Sequence, residues 1–164
     1  CARLADLENV VAIKDSVSRD QYAELTRLAS DQILVSNPYE ESWFDNLTEL
    51  GWQVLLASPD VFLLQTPNDR RLSAYTDLAL RGEIERARTV RDSLDPVRQA
   101  LRSTEPRGKP HAQMKYWLEL QGQVGGPVRP PMLPLTPEER DRVRLAFETC
   151  GLGQAEAAVL APQR

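Results

Sequence analysis

The sequence predicts an α/β fold built on a parallel sheet, and three observations support this. Three short apolar runs, at residues 10–13, 33–35 and 54–57, are continuous rather than alternating, which is typical of strands covered on both faces. Segments with apolar residues at helical spacing separate these runs, as in βα units with right-handed crossovers. Turn-forming residues end every run, at Asp15-Ser16, Ser36-Asn37-Pro38 and Ser58-Pro59.

Composition excludes several classes of function. The chain has 164 residues, 41% of them hydrophobic and 27% charged, which is enough to form a globular core. A net charge of −4 leaves no basic surplus for nucleic-acid binding. No apolar run approaches the ~18–20 residues that span a bilayer, so neither nucleic acid nor a membrane is expected as a partner. The two cysteines, Cys1 and Cys150, are too few for a disulfide framework. We therefore predict a location in the reducing cytoplasm.

The predicted helices begin and end at recognisable signals. Ser18 and Gln21 have the spacing of a capping box, and Gly51 stands where a helix C-terminal glycine is expected. Further helices are predicted over residues 72–101, split at Asp95-Pro96, over 111–121, and over 136–151. We expect residues 1–80 to form βα units, 81–151 a helical extension and 152–164 a flexible tail.

Three strands do not easily form a stable open parallel sheet. Two of them would be edges, and their two-sided apolarity requires cover. The chain also begins with Cys1 and shows no signal segment. We therefore expect further strands upstream, in a longer α/β chain.

Three stretches together match a known pattern. They are VVAIKDS at residues 10–16, the joint Arg81-Gly82-Glu83 with Ala87-Arg88, and GGPVRPPMLPLTPEER at residues 125–140. Together they resemble the dihydrodipicolinate synthase / N-acetylneuraminate lyase family of class I Schiff-base aldolases. The resemblance implies the C-terminal part of a (β/α)8 TIM barrel, strands six to eight, followed by a helical extension. It also implies a lyase or synthase that acts on pyruvate or another 2-oxo acid, needs no cofactor, and forms a homo-oligomer, commonly a tetramer.

Lys14 is the candidate catalytic residue. It follows the first predicted strand, and the carboxyl ends of barrel strands carry the active site. Burial among apolar residues would favour a neutral amine, which can attack a 2-oxo acid carbonyl and form a Schiff base. The resemblance assigns this role to Lys14. The residues alone leave open a surface lysine whose stem lies along the strand and whose ammonium stays in water.

Four other residues are candidates for substrate binding. The resemblance places Leu56 beside the bound pyruvate, and Ser16, Ser36 and Asn37 end predicted strands at the same mouth of the barrel. Each has a structural alternative: barrel core for Leu56, helix capping for Ser16, and turn formation for Ser36 and Asn37.

Some departures from the family pattern leave the substrate and even catalysis open. Residues 36–41 read SNPYEE where many members have a Gly-Asp-Asp-like turn. One alternative is therefore a non-catalytic assembly or regulatory module derived from a barrel, and another is a small binding domain. The single His111 has no companion ligands at metal-binding spacing, so no metal site is predicted. We expect little activity from these residues alone.

Overall fold

The computed structural model describes residues 2–153 and divides into two compact units. The first unit contains the residues up to Ser58 together with Ala79–Ile84, and the second contains Pro59–Leu78 and the residues from Glu85 onward. Cys1 and most of the predicted tail, residues 154–164, lie outside the described residues. The predicted boundaries after residues 80 and 151 stay predictions.

The first unit alternates helices with two short parallel strands. Its elements are α1 (Ala2–Ala5), β1 (Ala12–Lys14), α2 (Arg19–Ala29), β2 (Leu34–Ser36), a 3-10 turn (Glu40–Ser42) and α3 (Trp43–Glu49). The register pairs Ala12 with Leu34, Ile13 with Val35, and Lys14 with Ser36. A parallel pair with a helix between its strands is the βα arrangement that the sequence predicts.

Helix α2 shows how local sequence builds this unit. Its start is confirmed at Ser18, whose backbone N–H and Oγ both donate to Gln21 Oε1, at 3.3 and 2.9 Å. Tyr22, Leu25 and Ala29 recur on one face of the helix and are buried. The first unit buries these apolar residues together with Ile33, Val35, Trp43, Phe44, Leu47 and Trp52.

The described residues do not cover the first strand on both faces. Ala12 and Lys14 are exposed, Ile13 is half-buried, and the preceding Val11 is 71% exposed. The described residues form one two-stranded sheet, in which β2 is the only neighbour of β1. Between residues 2 and 153, no strand pairs with the other edge of β1.

The third predicted strand, residues 54–57, does not form a regular strand. These residues instead lie along β2 as an extended segment. The side chain of Ser36 bonds to Val54 and Leu56, and Ser58 N donates to Pro38 O at 2.9 Å. Because the attachment points advance together along both stretches, the segment runs parallel to β2.

The second unit is helical. Its helices are α4 (Asp60–Leu63), α5 (Arg71–Leu80, whose last two residues belong to the first unit), α6 (Ile84–Asp92), α7 (Asp95–Thr104), α8 (Pro110–Leu120) and α9 (Pro137–Thr149). The split at Asp95-Pro96 and the start at Thr136 are confirmed. Thr136 Oγ1 accepts from Glu139 N at 3.2 Å, while Glu139 Oε2 accepts from Thr136 N at 2.7 Å.

The core of the second unit centres on Trp117. Its indole is fully buried, donates from Nε1 to Leu63 O at 3.0 Å, and meets Phe147 edge to face with ring centroids 5.2 Å apart. Val143 on α9 and Val97 on α7 are buried as well. This packing joins α4, α7, α8 and α9 into one body.

Candidate functional site

Lys14 is the last residue of β1, at the carboxyl edge of the two-stranded sheet. Its Nζ donates to Ala57 O at 3.5 Å, a long contact that is exposed to solvent. Ala57 belongs to the extended segment beside β2. The structure therefore brings the amine of Lys14 to the end of the third apolar run, although the two residues lie 43 positions apart.

The side chain of Lys14 is exposed, which corrects the expectation that apolar neighbours keep it dry. That expectation placed Lys14 at the end of a buried apolar strand. The described residues supply one neighbouring strand only. The amine thus lies at the carboxyl edge of the sheet, and the described residues do not enclose it.

Ser36 is buried, with 1% of its surface exposed, and its hydroxyl bridges two backbone groups. Oγ donates to Val54 O at 2.9 Å and accepts from Leu56 N at 2.8 Å. The carbonyl oxygen of Ser36 also accepts from Asp15 N at 2.9 Å. One residue is therefore bonded to the stretch after β1 and to the extended segment, in addition to forming part of β2.

Asn37 is fully buried and shapes the turn after β2. Its Oδ1 accepts from Tyr39 N at 3.0 Å, and its Nδ2 donates to Ser42 Oγ at 2.9 Å. A side-chain oxygen that bonds to the backbone two residues on is the Asx-turn pattern. These bonds favour the structural alternative for Asn37, and its contact with substrate stays a prediction.

Leu56 and Ser16 lie in the same unit and are both exposed. Leu56 directly precedes Ala57, whose carbonyl approaches Lys14, and 38% of its surface is exposed. The structure thus brings the backbone beside Leu56 to the amine of Lys14. The contacts of Leu56 and Ser16 with substrate stay predictions.

Sequence patterns missed two features of this site. The Ala57 carbonyl was not predicted, because backbone groups leave no signal in residue types. The bridging role of Ser36 was missed because serine before Asn37-Pro38 is typical of a turn. Its position at the end of an apolar run was the one available sign that its hydroxyl would be buried.

Two kinds of feature are absent from residues 2–153. No helix there combines the length and apolarity needed to cross a membrane. Nor do three or more histidine, cysteine, aspartate or glutamate side chains gather where they could hold a metal ion. Cys150 is a buried free thiol, and burial raises its pKa.

Solved structures share this fold. The 4-hydroxy-tetrahydrodipicolinate synthase from the thermoacidophilic methanotroph Methylacidiphilum fumariolicum SolV matches 96% of this chain and 49% of its own, with a TM-score of 0.69 and 22% identity. The KD(P)GA structure from T. tenax matches 91% of this chain and 50% of its own, with a TM-score of 0.65 and 27% identity. The helix-rich α/β fold with its small parallel sheet thus matches about half of each of these TIM-barrel proteins.

The family itself follows from the sequence. The family model for the dihydrodipicolinate synthetase family matches residues 1–149, and the chain belongs to this family. One curated relative, 4-hydroxy-tetrahydrodipicolinate synthase 1 of Halalkalibacterium halodurans, is 31% identical over 146 residues, which cover 88% of this chain and 46% of the relative. The chain therefore spans about half the length of the curated relatives it matches.

Proposed function

We propose that Lys14 is the Schiff-base lysine of a lyase or synthase that acts on pyruvate or another 2-oxo acid. The observation that carries this proposal is the place of Lys14 at the carboxyl end of β1, with its Nζ directed to Ala57 O. Membership of the dihydrodipicolinate synthetase family supports it. So does the likeness to KD(P)GA from T. tenax, with 27% identity in a match that covers 91% of this chain.

The proposed chemistry needs one amine and one ketone. The Lys14 amine attacks the C2 carbonyl carbon, and the carbonyl oxygen leaves as water, so that a C=N bond replaces the C=O bond. The protonated imine withdraws electrons from C3, which can then lose a proton and form a bond to an aldehyde carbon. The same steps in reverse cleave a carbon–carbon bond, and hydrolysis of the imine returns the free lysine.

A barrel context would supply what the described residues lack. We propose that β1, β2 and the extended segment at residues 54–57 are strands six, seven and eight of a (β/α)8 barrel. A strand paired with the open edge of β1 would cover Val11, which is 71% exposed here, and would help to enclose Lys14. The family resemblance also supports a homo-oligomer, and the low cysteine count supports a cytoplasmic location for the whole enzyme.

Trapping with pyruvate and borohydride tests the assignment of Lys14. The chain has three lysines, Lys14, Lys109 and Lys115, and a peptide digest separates Lys14 from the other two. Lys109 bonds to Glu139, and Lys115 bonds to Gly125 O, so both serve as internal controls. We expect the mass of a reduced pyruvyl group on the Lys14 peptide in preference to the others, and its loss in Lys14→Arg. Labelling without preference for Lys14 would contradict the proposal.

A second candidate is a barrel-derived assembly module without turnover. The exposure of Lys14 and the open edge of β1 favour it, because an unpaired strand edge can pair with another chain. This alternative predicts a stable oligomer in light scattering whose mass and stability do not change in Lys14→Arg. It also predicts no pyruvate adduct on Lys14.

A further inference from the structure

We infer that Ser36 is a positioning residue for Lys14, and that its buried hydroxyl sets where the Ala57 carbonyl meets the amine. The inference rests on the proposed function, because it gives Ser36 a role in holding the proposed Schiff-base site together. It differs from the expectation that Ser36 contacts the substrate. The hydroxyl faces backbone groups of this chain.

The first step concerns the attachment of the extended segment to β2. In a regular parallel sheet, backbone groups of the two strands bond to each other along their length. Here the Ser36 hydroxyl bonds to two backbone groups of the extended segment. It donates to Val54 O at 2.9 Å and accepts from Leu56 N at 2.8 Å. The next link is the bond from Ser58 N to Pro38 O at 2.9 Å. Ala57 lies between these two attachments, so the hydroxyl holds the backbone on the N-terminal side of the Ala57 carbonyl.

The second step concerns Lys14 itself. Lys14 pairs with Ser36 in the register of the sheet, and the carbonyl oxygen of Ser36 accepts from Asp15 N at 2.9 Å. The backbone on both sides of the lysine Cα is therefore tied to β2 at Ser36. The amine and the Ala57 carbonyl are both positioned relative to the same residue.

The third step concerns what replaces the hydroxyl when it is removed. Ser36 is 1% exposed, so water has no ready access to its Oγ position. Without the hydroxyl, Val54 O and Leu56 N lose their partner. They can bond to water instead only if the segment moves away from β2. Both outcomes loosen the place of Ala57 relative to Lys14.

Thr26 provides a matched control in the same unit. Its buried hydroxyl also bridges two groups, donating to Tyr22 O at 2.8 Å and accepting from Trp52 Nε1 at 2.9 Å. None of these bonds involves β1 or residues 54–58. Thr26→Val therefore removes a comparable pair of hydrogen bonds without touching the proposed site.

The test uses the full chain and two readouts by NMR. In Ser36→Ala, we expect the Leu56 amide to exchange with deuterium about tenfold faster. After reductive ¹³C-methylation, we also expect the Lys14 signal to shift while those of Lys109 and Lys115 stay in place. Ser36→Thr keeps a hydroxyl and should restore both readouts, and Thr26→Val should change neither.

Several outcomes would overturn the inference. They are an unchanged Leu56 exchange rate in Ser36→Ala, an unmoved Lys14 signal, or the same changes in Thr26→Val. If Ser36→Ala does not fold, Ser36→Cys decides in its place, since it retains a weak donor and acceptor and should give an intermediate effect. Pyruvate trapping on the wild-type chain is scored separately, so a failure of the proposed function is distinguishable from a failure of this inference.

Discussion

Asp69 and Arg71 form a buried, two-point ion pair in the second unit. Asp69 Oδ1 accepts from Arg71 Nε at 3.0 Å, and Oδ2 accepts from Nη2 at 2.7 Å. Arg71 also donates to Ser93 O at 2.6 Å and to Gly151 O at 3.1 Å, while Gly153 N donates to Asp69 Oδ2 at 3.0 Å. The pair therefore ties the start of α5 to the stretch that follows α9.

Removing the charge of Asp69 should destabilise the protein strongly. Asp69→Asn leaves Arg71 buried without a counter-charge, and we expect a loss of about 3 kcal/mol in the free energy of unfolding. Urea titration followed by circular dichroism measures this loss. Asp141→Asn is the matched control, because Asp141 pairs with Arg144 on the surface and should change stability by less than about 1 kcal/mol. Equal effects of the two variants would contradict the role given to the buried pair.

The same pair predicts a pH dependence of stability. Burial raises the pKa of Asp69. Hydrogen bonds from the Arg71 side chain and the Gly153 N–H, together with the charge of Arg71, lower it by more than burial raises it. The pKa of Asp69 therefore lies below its usual value. A pKa that is lower in the folded state stabilises the protein above the unfolded value, about 3.9. That stabilisation is lost as the pH falls through the folded pKa.

We therefore expect the difference in unfolding free energy between wild type and Asp69→Asn to shrink as the pH falls from about 7 to about 3. Urea titrations of both proteins over this range measure it. Other carboxylates titrate in both proteins and cancel in the comparison. A difference that stays constant across the range would show that folding does not lower the pKa of Asp69.

Gly125 should tolerate no side chain. A Cβ at this position would lie 2.0 Å from Lys115 O, a backbone atom of α8, so Gly125→Ala must displace the chain around it. Gly122→Ala is the control, since its Cβ would meet nothing within 4 Å and only its positive φ of 79° is unfavourable. We expect the control to lose about 1 kcal/mol and Gly125→Ala to lose clearly more, as measured by thermal melting. The reverse order would contradict this close approach.

Local signals in the sequence predicted much of the fold. Ser18, the Asp95-Pro96 split and Thr136 mark helix starts in the structure as well, because capping depends on a few adjacent residues. The third strand could not be predicted correctly. Its pairing depends on the Ser36 hydroxyl, a contact between residues distant in sequence.

The candidate site was predictable in its location and not in its environment. Lys14 lies at the carboxyl end of a parallel strand, as the apolar run followed by turn residues indicates. Its burial depends on what covers the free edge of β1, and neighbouring residues in the sequence cannot specify that. Asn37 bonds within a turn. Its residue type allowed both this interpretation and substrate binding.

Leu56 offers the sharpest test of the proposed pocket. If its side chain contacts the methyl end of the oxo acid, Leu56→Ala should raise the pyruvate concentration for half-maximal trapping of Lys14 by about tenfold. Since 38% of Leu56 is exposed, its truncation should lower the unfolding free energy by only about 1 kcal/mol. Leu28→Ala, on α2 and 47% exposed, is the matched control and should leave trapping unchanged. A shift of equal size in both variants, or in neither, would remove Leu56 from the pocket and leave it a surface residue of the extended segment.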